Sequence, residues 1–194
     1  MRHLILASAS PRRWELLRQA GLQFSVSPAE PGIIDEEILD GEKPAAAVER
    51  LALRKAEECA RHLHEGLVLG SDTVVSLDGC ILGKPHSRDE AMIMLRRLSG
   101  RTHQVWTGLA LLDLAADRRW LEHESTLVTF RPLAEEEIDD YVLSGEPLDK
   151  AGAYAIQGRA AFFIPRIEGC YFNVVGLPLF KLGILLQKAG ISVK

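Results

Sequence analysis

Cysteine is scarce in this chain of 194 residues: Cys59, Cys80 and Cys170 are odd in number, widely spaced and form no C-x-x-C pair. That argues against a disulfide framework and a structural zinc site, and it sets the expectation of a reducing, cytoplasmic location. The six histidines contain no H-E-x-x-H, and His62 and His64, two apart near a helix end, read as a solvated pair. No stretch of about 18 apolar residues is present to span a membrane. Met1-Arg2-His3 and the brief apolar run after it are too short for a signal peptide. Neither G-x-x-x-x-G-K-[ST] nor G-x-G-x-x-G occurs, and there is no internal repeat, low-complexity tract or linker. A strong charge of one sign is also lacking. A net charge of −4 argues against a generic nucleic-acid coat, yet it leaves room for a local basic pocket that takes a phosphorylated small molecule.

What is present fits an ordinary globular chain, with 47% hydrophobic and 26% charged residues. Its length suits one domain over 1–194, or one domain with two lobes. The most informative stretch is Leu4-Ile5-Leu6-Ala7-Ser8-Ala9-Ser10-Pro11-Arg12-Arg13-Trp14-Glu15-Leu16-Leu17. It reads as a short buried strand, a turn of small residues and a helix, with Ser10 as N-cap and Pro11 at the first helical position. Trp14, Leu17 and Ala20 form the expected apolar stripe, and Gly21 ends the helix. Arg12 and Arg13 oppose the helix dipole, at a cost of ~0.3–1 kcal/mol each. Either an anion sits at this helix start or both arginines are solvated.

Further along, Phe24–Pro28 reads as a second strand, 29–43 as an acidic loop around Asp35, Glu36 and Glu37, and Pro44 to about His62 as a helix. Val48, Leu51, Ala52, Ala56 and Cys59 form its apolar stripe, with Arg54 and Lys55 on the polar side. Leu67–Val75 is the best buried strand, turned by Asp78-Gly79. Ser87 and Glu90 have capping-box spacing at the start of a helix that Gly100 closes. Two long strands are expected over about 103–115 and 119–131, joined by Ala116-Asp117-Arg118. A helix over about 134–144 begins with Glu135, Glu136 and Glu137, for which a structural role suffices. Residues 145–176 are rich in glycine and read as loops with short strands such as Ala161-Phe162-Phe163-Ile164. A last helix runs from near Pro178 to Gly190. Interspersed helices and antiparallel-looking runs predict an α/β fold with a mixed sheet.

Asp72 interrupts the apolar strand Gly70-Ser71-Asp72-Thr73-Val74-Val75. A carboxylate there must be paired, bound to metal or aimed into a cleft, because burial of an unpaired charge is costly. It is the leading candidate for a general base or a metal ligand, against a purely structural ion pair. Lys84, in Gly83-Lys84-Pro85, says little by itself. His103 reads as a structural histidine before a proton-transfer group. In 148–158, small residues with Asp149, Lys150 and Gln157 suit close approach of a ligand or a plain hairpin, and the Gln157 amide matches a base edge. Cationic Arg12, Arg13, Lys55, Lys84 and Lys150 with acidic Asp35, Glu36, Asp72 and Asp149 suit a polyphosphate and Mg²⁺.

Ser8-Ala9-Ser10-Pro11-Arg12-Arg13, Ser71-Asp72-Thr73, Gly83-Lys84-Pro85, Ser99-Gly100-Arg101-Thr102-His103, Asp149–Tyr154 and Val175-Gly176-Leu177-Pro178 together resemble the signature of the Maf family of nucleoside triphosphate pyrophosphatases. The motifs stand in the family's order from residue 4 to about 180. The resemblance implies an elongated α/β fold with two lobes around a central cleft, similar to inosine-triphosphate pyrophosphatases. It implies hydrolysis of a nucleoside triphosphate to monophosphate and pyrophosphate with a divalent metal, Mg²⁺ or Mn²⁺, in a cytoplasmic homodimer, and a link to septum formation. Asp72 would accept the proton of the attacking water. Ser8, Arg12, Arg13, Lys55 and Lys84 would grip phosphates, and Asp35 or Glu36 would help hold the metal. Arg12, Thr73 and Gln157 stand at the specificity positions and resemble the dTTP/UTP branch. The 7-methyl-GTP branch resembles it overall but usually carries a glutamate in place of Gln157. A neutral thymine or uracil imide edge suits an amide, whereas a cationic methylated guanine favours a carboxylate. A non-catalytic nucleotide-binding regulator of cell division is the rival from another class.

Overall fold

A computed structural model describes residues 3–30 and 32–192. The readings that involve Met1, Arg2, Pro31 and the extreme end of the 1–194 span lie outside them. The elements are β1 (Leu4–Leu6), α1 (Pro11–Gln19), β2 (Phe24–Val26), α2 (Pro44–Ala60), β3 (Leu67–Leu77), β4 (Cys80–Leu82) and α3 (Arg88–Leu98). There follow β5 (Thr102–Asp113), β6 (Arg118–Thr129), α4 (Glu135–Leu143), β7 (Arg166–Glu168), α5 (Tyr171–Val175) and α6 (Leu179–Lys188). The strands belong to one mixed sheet in the order β2-β1-β3-β5-β6-β7, with β4 paired to β3. β1 runs parallel to β2 and to β3, while β3–β4 and β6–β7 are antiparallel. The expected α/β class with a mixed sheet and flanking helices is therefore found.

The chain packs as two compact units. The first comprises residues up to Asp72 with Thr107–Glu124 and the segment from Gly176. Part of its core is Ile5, Ala7, Ala52, Ala56, Cys59, Val68, Ala110 and Leu112, where α2 buries its small-residue stripe on the strands. The second comprises Thr73–Trp106 and Ser125–Val175. Its core gathers Leu95, Leu98, Phe130, Ile138, Tyr141, Tyr154 and Phe163 from α3, α4, the residue that follows β6 and the segments beyond α4.

Local signals in the sequence are realised closely. Asp78 and Gly79 both have positive φ, as a two-residue hairpin turn between β3 and β4 requires. Ser87 Oγ accepts the Glu90 N–H at 3.1 Å, and Glu90 in return accepts the His86 N–H at 2.7 Å, one residue earlier than the expected capping box. Gly21 and Leu22 donate to the Arg18 and Leu17 carbonyls and close α1 in a Schellman arrangement. Two of the three glutamates at the start of α4, Glu135 and Glu137, make structural ion pairs. Arg96 binds Glu135, and Arg131 binds Glu137. The Glu137 carboxyl is pulled down to about 2, first by the Arg131 hydrogen bonds and next by the Ala134 N–H.

Three expectations need correction. Ala161–Ile164 is not a strand: Arg159–Phe163 is a 3-10 turn, and the strand is β7, closer to the C-terminus. Ala160 and Phe163, three apart, are buried while Phe162 is 84% exposed, so the run has the period of a tight helix. On α1 the buried face is Arg13, Leu16 and Leu17, and Trp14 and Ala20 are only half buried. Arg18 instead stacks over Trp14, 5.4 Å from the ring centroid. Ser10 does stand at the N-cap position, but its side chain makes no capping bond.

Candidate active site

The first unit joins three of the expected site residues, Asp72, Lys55 and Glu36, in one charged cluster. β3 carries Asp72 in a buried position, 8% exposed. α2 places Lys55 against it, with Nζ 2.5 Å from Asp72 Oδ1 and 2.6 Å from Glu36 Oε1. One ammonium therefore joins the buried carboxylate to an exposed one on the acidic loop, and the charge that the sequence places in an apolar strand is compensated. The loop itself is tied to α2. Arg50 donates to Glu42 and to the Glu37 carbonyl, and Arg54 donates to the Asp35 carbonyl. Sequence reasoning missed Arg50 and Arg54 as loop anchors; their i, i+4 spacing opposite an acidic run was the available signal.

Beneath α1, Arg13 is buried rather than solvated. Its Nε donates to the Gly176 carbonyl at 2.9 Å and its Nη1 to Ser8 Oγ at 3.1 Å, and Ser71 Oγ donates to the same Gly176 carbonyl. Burial lowers the guanidinium from its ordinary value; the Asp72 charge raises it back, Arg12 lowers it and Glu36 raises it. The opposed helix dipole is thus offset by carboxylates and carbonyls from elsewhere in the unit. Arg12 is half buried and adds positive charge beside Arg13. Asp35 differs from Glu36: its Oδ1 accepts the Glu37 N–H at 2.9 Å inside its own loop.

In the second unit, Thr73 is half buried on β3, Lys84 is exposed just after β4, and Gln157 is exposed between 3-10 turns. Lys150 pairs with its neighbour Asp149. His103 is structural, as read. It is 2% exposed, its Nε2 lies 2.7 Å from the Tyr154 hydroxyl, and its ring meets Phe130 and Tyr154 edge-on. Burial pushes its pKa down to about 4, so the ring is neutral near pH 7.

For a divalent ion the unit offers carboxylate oxygen, the hard ligand that Mg²⁺ and Mn²⁺ prefer. Among the described residues no three His, Cys, Asp or Glu side chains form a group able to hold a metal. Mg²⁺ is commonly held by one or two carboxylates together with substrate phosphates, and the exposed Glu36 carboxylate, which Lys55 engages through one oxygen, fits that mode. No helix among the described residues is long and apolar enough to cross a membrane.

A dTTP/UTP pyrophosphatase from Pelotomaculum thermopropionicum is 52% identical over 193 residues, covering 100% of both chains. One from Geobacillus sp. is 53% identical over 181 residues, covering 93% of this chain and 95% of the relative. A nucleoside-triphosphatase / dITP/XTP pyrophosphatase from Mycobacterium abscessus aligns with a TM-score of 0.42 at 15% identity, over 68% of this chain and 75% of that one. A family model described as Maf-like protein matches residues 3–189, and with full-length relatives above half identity the chain belongs to that family.

Proposed function

We propose that this chain hydrolyses dTTP and UTP to the nucleoside monophosphate and pyrophosphate. The observation that carries the reading is the buried Asp72, compensated by Lys55 and flanked by Arg13, in a family member about half identical to relatives named dTTP/UTP pyrophosphatase. Phosphoryl transfer asks little covalent chemistry of a protein and much charge placement, which is what this cluster supplies. Lys55 engages Oδ1 of Asp72, and Oδ2 is the atom assigned to the attacking water. Asp72 takes one proton from that water as its oxygen bonds to the α-phosphorus. The α–β bridging P–O bond breaks, and its electron pair leaves with pyrophosphate.

Ser8, Arg12, Arg13, Lys55 and Lys84 are assigned to the phosphates. Thr73 and Gln157, with Arg12, are assigned to choice of the base, where the Gln157 amide offers one donor and one acceptor to an imide edge. When bound, Mg²⁺ or Mn²⁺ supplies charge neutralisation on the phosphate oxygens. Glu36 would help hold it, in preference to Asp35, whose carboxylate already serves its own turn. The chain is taken as one functional domain acting in the cytoplasm as a homodimer, with removal of non-standard nucleotides and an influence on cell division as its wider roles.

The test is pyrophosphate release by the purified chain with Mg²⁺ across dTTP, UTP, the other standard triphosphates and 7-methyl-GTP. Highest kcat/KM on dTTP and UTP is expected. Preference for 7-methyl-GTP would move the chain to the other branch, and nucleotide binding without turnover would make it a regulator.

A further inference from the structure

Two glycines that play no part in a turn lie under α2. Gly70 on β3 and Gly108 on β5 have no positive φ, so backbone conformation does not call for glycine at either place. In a strand interior glycine weakens the strand, and its usual reason is close approach of another backbone. That approach is present here. A Cβ on Gly70 would lie 2.1 Å from the Ala52 carbonyl oxygen and 2.9 Å from the Ala56 nitrogen. A Cβ on Gly108 would lie 2.2 Å from the Val48 carbonyl oxygen and 2.8 Å from the Glu49 nitrogen. The obstructing atoms are helix backbone, so no rotamer change can make room. By contrast, a Cβ at Gly21, Gly32, Gly41 or Gly190 would meet nothing within 4 Å.

The consequence reaches the charged cluster. Gly70 and Asp72 are two apart on β3 and so face the same side of the sheet, towards α2. Ala52 and Ala56, the residues over Gly70, bracket Lys55 in sequence. Arg50 and Arg54 bind the acidic loop to α2, so Lys55 and Glu36 travel with the helix while Asp72 stays with the sheet. Real Cβ atoms essentially never come within 3.0 Å of such neighbours, so an added methyl would drive α2 outward by about 1 Å. That is the separation of Lys55 and Glu36 from Asp72, across a contact now 2.5 Å long.

We propose that Gly70 and Gly108 are positioning residues, which set the depth of α2 on the sheet and thereby hold Lys55 on Asp72. The inference rests on the reading of Asp72 as proton acceptor in pyrophosphate release. A misplacement of about 1 Å at a reacting centre can cost on the order of 10²-fold in rate.

The experiment is a double-mutant cycle on the full chain with dTTP and saturating Mg²⁺: wild type, Gly108→Ala, Lys55→Met and the pair, each checked for folding by circular dichroism. Gly108→Ala is expected to lower kcat by roughly 10–100-fold with KM changed far less, and to cost under about 3-fold once Lys55 is already Met. An equal fold loss in both backgrounds, or a native kcat in folded Gly108→Ala, overturns the proposal. Urea unfolding of the same four proteins supplies a readout independent of turnover. Midpoint shifts that fail to add support the coupling, and additive shifts overturn it. If wild type releases no pyrophosphate, the functional reading fails by itself and the urea cycle still decides whether the glycines act through Lys55. Should the Gly108 variants not fold, Ala56→Val, which pushes on Gly70 from the helix side, replaces Gly108→Ala in the same cycle.

Discussion

Single residues carry the sharpest expectations. Asp72→Asn preserves the shape of the strand and the contact with α2 but removes the proton acceptor. It should bind dTTP about as tightly as wild type and lose kcat by a factor on the order of 10²–10⁴; turnover at the wild-type rate would show that another group takes the proton. Gln157→Glu should lower kcat/KM for dTTP and UTP relative to 7-methyl-GTP in a side-by-side panel, because a carboxylate repels the imide carbonyl and attracts a cationic base. His103 makes a different point, about pH. Its folded pKa lies near 4 and its ordinary value is 6.5, so between these the unfolded chain binds more protons than the folded one. Stability from this residue is complete above pH 6.5, falls as pH drops towards 4, and amounts to about 3 kcal/mol in order of magnitude. Urea midpoints at pH 7.5 and pH 5 should fall less for His103→Gln, which keeps a hydrogen-bonding partner for Tyr154 without a titrating ring.

At the scale of elements, helix ends were legible because their hydrogen bonds close within a few residues. Ser87 and Glu90 announce α3, Gly21 announces the end of α1, and Asp78-Gly79 announces the β3–β4 hairpin, each by chemistry held in adjacent positions. Ser87→Ala should therefore lower stability by about 1 kcal/mol in urea while leaving dTTP turnover intact, since the cap faces solvent and belongs to no charged cluster. Faces of elements were less legible. The stripe through Trp14, Leu17 and Ala20 was drawn from apolar spacing, but α1 buries Arg13 with Leu16 and Leu17 because Gly176 and Ser8 receive the guanidinium. Ala161–Ile164 resembled a strand by composition, yet the demand to bury Ala160 and Phe163 together curled it into a 3-10 turn.

For the molecule as a whole, α2 serves both the apolar core of the first unit, through Ala52 and Ala56, and the charged cluster, through Lys55. Ile5, Ala52, Val68 and Ala110 belong to an apolar cluster, and among the described residues no three His, Cys, Asp or Glu side chains form a group able to hold a metal. Treatment with EDTA should abolish pyrophosphate release, leave far-ultraviolet circular dichroism and the thermal midpoint nearly unchanged, and be reversed by added Mg²⁺; a collapse of the fold would mean that the metal is structural. The sequence by itself determined the α/β class, the helix caps, the hairpin turn, the isolated carboxylate at Asp72 and the order of motifs that marks the family. These depend on neighbours along the chain or on the cost of one charge in an apolar run. Only the tertiary structure decided that Lys55 spans Glu36 and Asp72, that Arg13 is buried against Gly176, and that Gly70 and Gly108 seat α2 on the sheet. Those pairings join residues 14 to 163 positions apart, and no local spacing encodes which distant charge or backbone atom will meet another once the strands and helices pack.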